Sequence, residues 1–596
     1  MRAGGFSCAC TLSVYKPSKS LPAHVSKKHL ANRFSKFFDQ KIRNLRLSLD
    51  MSATAQSDLS VDIARDCKSR FATFDLVSLD DVRETIKRSA IKTCQLDPLP
   101  ASLTKECLEE LLPSITSIVN SSLQSGVFPD CLKQALVTPL LKKASLDIEE
   151  LKNFRPVSNL PFLGKVIERV AIHQLQAYLC DNSLYAKNQS AYRHFHSTET
   201  ALVRVNNDLL KAVDEHQEAV LVLLDLSAAF DTVDYGILLK RLDQDYGIRG
   251  TVLQWFSSYL QNRKQSVKID NEVSEPVVLD WGVPQGSVTG PVLFLLYSGP
   301  IQDIIEAHGL SGMIYADDTQ LYIMMKPSER SNVLARLEAC IRDIKIWMAE
   351  NRLMLNEAKT EVLHVTSRFI QRVNLNDMNI GGASVAPSAS VRDLGVILDD
   401  TLTMTSHVNN ICRSASFAIR KIGKLRRYLD QKNAEKLVHA YVTSRLDSCN
   451  AILYGLPDKE LAKLQRIQNT AARVVTRTRK FDHITPVLHD LHWLPVIQRI
   501  TYKILLLTFK SLSGEAPDYI SELIARYEPT RTLRSSTQSL LQEQSSRTVT
   551  YGDRRFAVCA PILWNCLPTH VRNSTSIEHF KSQLKTHLFK CAYNID

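Results

Sequence analysis

The sequence lacks any long uninterrupted run of apolar residues. Its apolar stretches, such as residues 219–224 and 291–297, are far shorter than the roughly 20 residues that cross a bilayer. An apolar N-terminal segment, residues 6–15, soon gives way to Lys16 and Lys19 and does not resemble a secretory signal. These absences predict an intracellular protein without a membrane span.

Glycine, proline and patterned cysteine are also scarce. The chain has 20 glycines and 22 prolines among 596 residues, which argues against collagen-like repeats and extensive disorder. Its 13 cysteines are scattered, and the only close pair, Cys8 and Cys10, has no second pair at zinc-site spacing. The sequence therefore predicts reduced thiols, no structural zinc, and about three or four globular domains.

Positive charge is concentrated in one part of the chain. Residues 401–480 hold 16 Lys and Arg against five Asp and Glu, a net charge of +11, while the whole chain carries +12. Such a concentration favours contact with a phosphate backbone, which gains from counterion release. A solvated helical face is the structural alternative.

Hydrophobic periodicity indicates mixed secondary structure. Residues 30–49 have the spacing of a basic amphipathic helix, and residues 103–124 that of a second helix closed by Gly126. Residues 219–224 form a short apolar run suited to a buried strand, and residues 313–325 predict two strands joined by a tight turn. The pattern is chiefly helical after Thr401, and it recurs as a helix over residues 497–512.

Two groups of acids stand at strand ends. Asp225 follows the apolar run at 219–224, and Asp317 and Asp318 lie at the predicted hairpin bend. A carboxylate at the end of a buried strand must be paired, protonated or bound to a cation. A shared pair of divalent ions would satisfy all three and would support phosphoryl transfer. Taken singly, the acids also fit a solvated bend and a helix cap.

The tetrapeptide Tyr315-Ala316-Asp317-Asp318 resembles the signature of reverse transcriptases. Further matches follow that family's order along the chain: residues 153–158 and 189–201 (fingers), 225–231 (motif A), 282–287 (motif B), 315–319 (motif C), 353–361 (motif D) and 394–396 (motif E). The chain thus resembles the polymerase of a non-LTR (LINE-type) retrotransposon of the CR1, L2 and jockey-like group.

The resemblance implies an α+β fold of the right-hand polymerase type. It assigns the fingers and palm of the reverse transcriptase domain to residues 134–400 and a basic helical thumb to residues 401–480. Residues 1–50 are then an N-terminal extension with a linker-like basic helix, residues 51–133 a helical lead-in, and residues 481–596 a mixed, element-specific C-terminal region.

The resemblance also implies catalytic and metal-binding residues. Asp225, Asp317 and Asp318 would hold two Mg²⁺ ions, with Mn²⁺ as the alternative ion, and the primer 3′-hydroxyl would attack the nucleotide α-phosphate. Lys359 and Arg193 are candidates to neutralise the triphosphate, with Lys359 also donating a proton to the leaving pyrophosphate. Both also fit ordinary solvated cations.

Three further residues match nucleotide-binding positions of the family. Phe230 would block a ribose 2′-hydroxyl, so that the substrates are deoxynucleoside triphosphates. Gln285 would hydrogen-bond near the nucleotide, and Gly286 would let the backbone approach it. The structural alternatives are a core aromatic for Phe230 and an ordinary turn for Gln285 and Gly286.

The chain departs from the family at several places. Ala191 stands where glycine is usual and Thr289 where leucine is usual. Elements of this group begin with an apurinic-type endonuclease, and the residues before 134 are too few to hold one. We therefore expect a 5′-truncated copy that relies on an endonuclease supplied in trans. Trp493 and Trp564, in C-terminal phrases shared with the group, are interpreted as core residues rather than as RNA-stacking residues.

The sequence thus predicts an RNA-directed DNA polymerase that extends a DNA primer on an RNA template. Nuclear action is expected from the family, with the cytoplasm as the alternative. Three other interpretations stay open: a degraded or repurposed polymerase that binds RNA, another two-metal enzyme such as a nuclease, and a structural or assembly protein.

Overall fold

The computed structural model describes residues 21–54, 67–92, 94–370, 375, 377–380, 382–528 and 539–594. Its helices are α1 (Lys27–Thr54), α2 (Leu79–Arg88), α3 (Ala101–Glu106), α4 (Leu108–Ser125), α5 (Phe162–Asp181), α6 (Thr198–Asp214), α7 (Tyr235–Gln244), α8 (Gly250–Leu260), α9 (Thr289–Ser298), α10 (Ile301–Ala307), α11 (Arg330–Glu350), α12 (Thr405–Leu425), α13 (Gln431–Val438), α14 (Ser444–Asp447), α15 (Asp458–Thr476), α16 (Thr485–Asp490), α17 (Val496–Leu512), α18 (Asp518–Ser521), α19 (Phe556–Asn565), α20 (Thr569–Arg572) and α21 (Ile577–Tyr593).

The strands are β1 (Gln134–Leu141), β2 (Phe154–Asn159), β3 (Glu218–Leu224), β4 (Lys264–Ile269), β5 (Glu272–Val273), β6 (Val277–Val278), β7 (Ser311–Tyr315), β8 (Asp318–Met325), β9 (Glu361–Val365), β10 (Met378–Ile380), β11 (Ala383–Val385), β12 (Ser390–Asp393) and β13 (Val396–Asp399). The mixture of helix and strand confirms the predicted α+β class in its coarse form. The strand at 218–224, the strand pair at 311–325 and the helix at 27–54 confirm the expectations from periodicity.

The described residues form two compact units. The first contains the residues up to 184 together with 230–294, and the second contains 185–229 together with the residues from 295 onward. Both units are therefore discontinuous in sequence. The domain boundaries predicted at residues 50, 133, 400 and 480 stay predictions.

The first unit is built on a sheet of order β2-β1-β4-β5, with β6 also paired to β4. β1 runs antiparallel to β2 and parallel to β4. Helix α1 covers this sheet because its apolar positions recur at helical spacing: Leu30, Ala31, Phe34 and Phe38 are buried in one cluster with residues of β1, β2 and β4. The Phe34 and Phe154 rings meet edge to face with centroids 5.0 Å apart.

The second unit contains a sheet of order β7-β8-β3-β9, all of it antiparallel. Its central strand β3 is buried on both faces, which explains its continuous apolar run. A separate hairpin joins β12 to β13 through Leu394 and Gly395, both at positive φ. A two-residue hairpin turn of type I′ requires positive φ at both residues, and its twist matches that of the strands. Glycine adopts this conformation at little cost.

One hydrophobic cluster extends from the second sheet into the helices that follow it. Buried members come from α6, β3, α12, α15, α17 and α19, among them Ala201, Leu221, Ile411, Leu464, Ile500 and Phe556. Residues after 480 therefore share a core with the strand that precedes Asp225. No helix in the described part of the chain combines the length and the apolar composition needed to cross a membrane.

Candidate active site

The strand register of the second unit brings the predicted acids to one edge of its sheet. Leu224, the last residue of β3, pairs with Thr319 of β8, and Tyr315 of β7 pairs with Asp318. Asp225 therefore leaves β3 where Asp318 begins β8. The turn between β7 and β8 consists of Ala316 and Asp317 alone, and Ala316 has φ +60°, a conformation that costs a residue with a Cβ.

The charges of these acids act on one another. Partial burial and the neighbouring carboxylates of Asp317 and Asp225 raise the pKa of Asp318 to about 6, and Lys359 opposes that rise. Lys359 places its Nζ 2.5 Å from Oδ2 of Asp225. The edge thus gathers negative charge that is only partly neutralised.

Backbone hydrogen bonds between residues 354–356 and 225–227 explain why Lys359 reaches Asp225. The backbone N–H of Asn356 donates to the carbonyl of Asp225 at 2.8 Å, and that of Ser227 donates to the carbonyl of Met354 at 2.8 Å. The Asn356 side chain also donates to Oδ2 of Asp225 at 3.3 Å. Asn356 lies in the predicted motif D segment, where sequence reasoning assigned it no role of its own.

A cavity of about 170 Å³ opens beside this edge. Its charged and polar lining comes from Asp225, Asp318, Lys359, Glu361, Arg392, Gln320 and Asp393. Gln320 donates to Asp393 at 2.7 Å, and both side chains are buried. Burial, reinforced by the charge of Asp318, raises the pKa of Asp393 to about 8, so that this carboxyl is mostly protonated at neutral pH.

Gln189 supports the turn that carries Asp317. Its side-chain oxygen accepts hydrogen bonds from the backbone N–H groups of Ala316 and Ala191, each at 3.2 Å, and its backbone forms a parallel bridge with Ile314. The Gln189 side chain is buried. Sequence reasoning included this residue in a matched motif and missed its role, since a local pattern does not show what a buried amide contacts.

Arg193 lies on the same segment, with its guanidinium directed to its own loop. It donates to the carbonyls of Ala186 and Gln189, each at 3.0 Å, and stacks over the Tyr185 ring at 4.6 Å. Burial, and then the charge of Asp317, raise the pKa of the adjacent Tyr192 phenol. The triphosphate role of Arg193 stays a prediction.

Phe230, Gln285 and Gly286 belong to the first unit. The Gln285 amide donates to both carboxylate oxygens of Asp231, at 3.1 and 2.9 Å. Gly286 has φ +123°, and a Cβ there would lie 2.6 Å from the carbonyl oxygen of Ser158. Phe230 stacks on Phe294 with centroids 4.8 Å apart. The close approach explains why glycine occupies position 286.

Carboxylate oxygens are the ligands that Mg²⁺ prefers, so the donor chemistry of Asp225, Asp317 and Asp318 fits a hard divalent ion. Burial first, and then the charges of Asp317 and Asp225, raise the pKa of Asp318, and a bound cation would offset the repulsion among these carboxylates. Across the described ranges, no three His, Cys, Asp or Glu side chains are already gathered as a metal site. The three carboxylates fit the ion chemically, but their side chains do not form a complete coordination shell.

Helix α12 displays a basic, acid-free stripe on its exposed face. Val408, Ile411, Ala415 and Ile419 face the core. The stripe lies on the other side of the helix and consists of Arg413, Phe417, Arg420, Lys421 and Lys424. Lys421 lies over the exposed Phe417 ring at 4.4 Å. Cations beside exposed aromatic rings suit contact with nucleic acid.

The two C-terminal tryptophans are buried, which confirms their interpretation as core residues. Trp493 donates its indole N–H to Glu435 at 3.1 Å, and Trp564 donates to the carbonyl of Ser539 at 2.9 Å. A satisfied indole in a packed core has no free face for a base.

Comparison with known proteins agrees with this geometry. Residues 141–398 match the family described as reverse transcriptase (RNA-dependent DNA polymerase). These residues are a reverse transcriptase domain. The domain includes every predicted site residue from Arg193 to Lys359, and the resemblance derived from the sequence motifs is confirmed.

Relatives of the reverse transcriptase domain come from mobile elements. The RNA-directed DNA polymerase from mobile element jockey of Drosophila funebris is 27% identical over 415 residues, 67% of this chain and 44% of that protein. The probable RNA-directed DNA polymerase from transposon X-element of Drosophila melanogaster is 24% identical over 486 residues, 80% of this chain and 51% of that protein. The chain spans about half the length of the curated relatives it matches.

Proposed function

We propose that this protein is an RNA-directed DNA polymerase that extends the 3′ end of a DNA primer on an RNA template. The observation that carries the proposal is the register of β3 and β8, which sets Asp225 beside Asp318 within a reverse transcriptase domain. The names of the jockey-type relatives support the same activity. We further propose that it acts in the nucleus, as expected from the family.

The proposed fold is a right hand. The four-stranded sheet of the second unit is the palm, the sheet of the first unit belongs to the fingers, and helices α12–α15 form the thumb. The basic stripe on α12 supports this thumb assignment, because a helix that follows a duplex needs cations on its exposed face.

Three carboxylates define the proposed reaction centre. Asp225 and Asp317 are its main metal ligands and Asp318 the third, and two bound Mg²⁺ ions would supply Lewis-acid activation of the primer hydroxyl and stabilise the leaving oxygen. The primer O3′ forms a bond to the nucleotide α-phosphorus as the bond to pyrophosphate breaks. Lys359, 2.5 Å from Asp225, is positioned to neutralise charge at this edge and to give a proton to pyrophosphate.

Nucleotide selection is proposed for residues that match the family. Phe230 would exclude a ribose 2′-hydroxyl, Gln285 and Gly286 would contact the nucleotide, and Arg193 would face its triphosphate. The Asp231 carboxylate holds the Gln285 amide, which supports a fixed orientation for that side chain.

A second candidate is a polymerase-derived RNA-binding protein without catalysis. The ion pair between Lys359 and Asp225 favours it, since an acid already neutralised by lysine has less need of a metal ion. The exposed cation and aromatic pairs of residues 401–480 would serve either protein.

Primer extension separates these candidates. The wild-type chain is incubated with an RNA template, a DNA primer, Mg²⁺ and four deoxynucleotides, beside the double variant Asp317→Ala/Asp318→Ala. The control is Glu109→Ala/Glu110→Ala, an adjacent pair of exposed acids in α4. We expect extension by the wild type and the control and none by the Asp317/Asp318 variant. RNA binding without extension by folded wild type would favour the second candidate.

A further inference from the structure

Tyr519 connects the C-terminal region to the segment beside the reaction centre. It lies in α18 and is buried, with 1% of its surface exposed. Its phenol oxygen is 2.7 Å from the Ser190 hydroxyl and 2.9 Å from the Thr200 hydroxyl. Residues 190 and 519 are far apart in sequence, so only the tertiary fold creates this contact.

Neighbouring contacts hold α18 against the same segment. Arg204 donates to the backbone carbonyl of Tyr519 at 2.9 Å, and Lys187 forms an ion pair with Glu522 at 2.8 Å. These contacts hold the backbone at Tyr519, and burial restricts its side chain, so the phenol hydroxyl can fix the position of another group.

The hydroxyls form a chain with a consistent direction. Thr200 donates to the carbonyl of Ser197 at 2.9 Å in the capping box of α6, so its oxygen is an acceptor for the Tyr519 proton. The Ser190 hydroxyl, whose other acceptor is the Ser197 carbonyl at 3.4 Å, then donates to the Tyr519 oxygen at 2.7 Å. Each of the three hydroxyls has a partner in this arrangement. The Tyr519 phenol therefore connects Ser190 to Thr200 and does more than fill space in the core.

Ser190 connects Tyr519 to the strand that precedes the Ala316–Asp317 turn. Its backbone N–H donates to the carbonyl of Ile314 at 2.8 Å, and the N–H of Ile314 donates to the carbonyl of Asn188 at 2.9 Å. Between them, the Gln189 side chain accepts from the N–H of Ala316, the residue held at φ +60°. Asp317 is the next residue along the chain.

We propose that Tyr519 is a positioning residue of the polymerase site, which acts through Ser190 and Gln189 to hold the Ala316–Asp317 turn. The inference rests on the proposed polymerase function and gives the C-terminal region a part in it. Loss of the phenol hydroxyl leaves the Ser190 segment and the turn free to shift. A shift there moves a carboxylate proposed to hold the metal ions.

The test compares Tyr519→Phe with Tyr593→Phe in the full chain. Tyr593 is a matched control, because its phenol donates at 2.7 Å to the carbonyl of Trp493 within the C-terminal region. Extension is measured in the pre-steady state with primer-template in excess, so that the burst amplitude counts active sites and the burst rate gives the rate per active site. We expect Tyr519→Phe to lower the rate per active site about two- to tenfold and to raise the Mg²⁺ concentration for half-maximal rate. Tyr593→Phe should change neither quantity.

Ser190→Ala is a second test of the contact if Tyr519→Phe folds poorly, and the two changes together form a double-mutant cycle. Ser190→Ala breaks the same hydrogen bond from the other side, so the double variant should be no slower than the slower single variant. Additive effects would overturn the inference. So would a lower burst amplitude with an unchanged rate per active site, because that result describes stability alone.

The two proposals fail in different ways. An active wild type with a Tyr519→Phe variant of unchanged rate and Mg²⁺ dependence would remove only the positioning role. An inactive, folded wild type would remove the polymerase function and this inference together.

Discussion

At the scale of single residues, the contact between Lys359 and Asp225 joins two motifs that the sequence could only place in order. Lys359 is largely exposed and Asp225 is partly buried, so the ion pair by itself adds little to stability. Its value is its position, at the sheet edge where Asp225 follows β3 and Asp318 begins β8. A cation at this edge can serve the proposed reaction, and its removal should be felt in the rate rather than in the fold.

We expect Lys359→Ala to lower the single-turnover rate at least about tenfold, as for loss of a general acid or of a charge near the leaving group. Lys359→Arg should keep the charge and recover only part of the rate, because arginine does not give up its proton. Lys581→Ala, which removes a comparable pair with Glu578 on α21, is the control for a lost surface ion pair. A rate for Lys359→Ala equal to that of the control would contradict the role.

Asp231 gives a prediction about stability and pH. Burial raises the pKa of its carboxyl to about 6, while Lys41 and the Gln285 amide lower it. The unfolded chain gives up this proton near its ordinary pKa of 3.8, so the folded state loses stability as the pH rises from about 4 to about 6. Below that window both states are protonated, and above it the loss is complete.

Asp231→Asn should remove this loss, since the amide does not ionise. Urea unfolding of the variant and the wild type over pH 4 to 7 measures the difference in midpoint. We expect the urea midpoint of the variant, relative to that of the wild type, to rise between about pH 4 and pH 6. Above about pH 6 the difference in midpoint should stay constant. A difference that does not change with pH would show that the carboxyl has an ordinary pKa.

At the scale of elements, α12 combines a buried apolar face with an exposed basic face. The apolar face belongs to the core of the second unit, and the exposed face has no acid along its whole length. A helix of this kind can bind phosphate groups without a change in its packing. Substitutions in the stripe should therefore change nucleic-acid affinity without changing the stability of the fold.

The triple variant Arg413→Gln/Lys421→Gln/Lys424→Gln should weaken binding of an RNA–DNA hybrid and reduce its salt dependence. Each lost phosphate contact lowers the slope of log affinity against log salt by about 0.9. The triple variant Lys581→Gln/Lys585→Gln/Lys590→Gln on α21 has the same net charge and is the control. Equal slopes for the two variants would assign the effect to total charge.

At the scale of the whole molecule, the C-terminal region is bound to both ends of α6 within the second unit. Tyr519 contacts Thr200 near its start. At its end, Asp214 is buried and accepts from the backbone N–H and the hydroxyl of Thr548, each at 2.8 Å. Helix α6 packs on the four-stranded sheet of the second unit and shares its core. Folding of the sheet should therefore depend on residues far beyond the reverse transcriptase domain.

A chain ended after residue 480 should lose this support. It would expose the apolar surfaces that α17 and α19 cover, and we expect low solubility or faster hydrogen exchange in β3 and α6 than in the full chain. Hydrogen exchange followed by mass spectrometry measures the change. Unchanged protection of β3 would show that the predicted boundary at 480 is a folding boundary.

The sequence by itself determined the elements and the order of the motifs. The apolar run before Asp225, the apolar residues around Asp317 and the helical spacing of residues 30–49 each follow from local periodicity, which depends on neighbours in the chain. The resemblance to reverse transcriptases came from short motifs of the same kind. Those signals predicted the reverse transcriptase domain and which acids to examine.

Only the tertiary structure decided how these parts meet. Strand register placed Asp225 beside Asp318. Packing between distant segments brought the Gln189 side chain to the Ala316 N–H and Tyr519 against Ser190. Asn356, Gln320 and Asp393 joined the site in the same way. Contacts between residues so distant in sequence form because a shared core and buried hydrogen-bond partners must be satisfied together, and no local pattern records that condition.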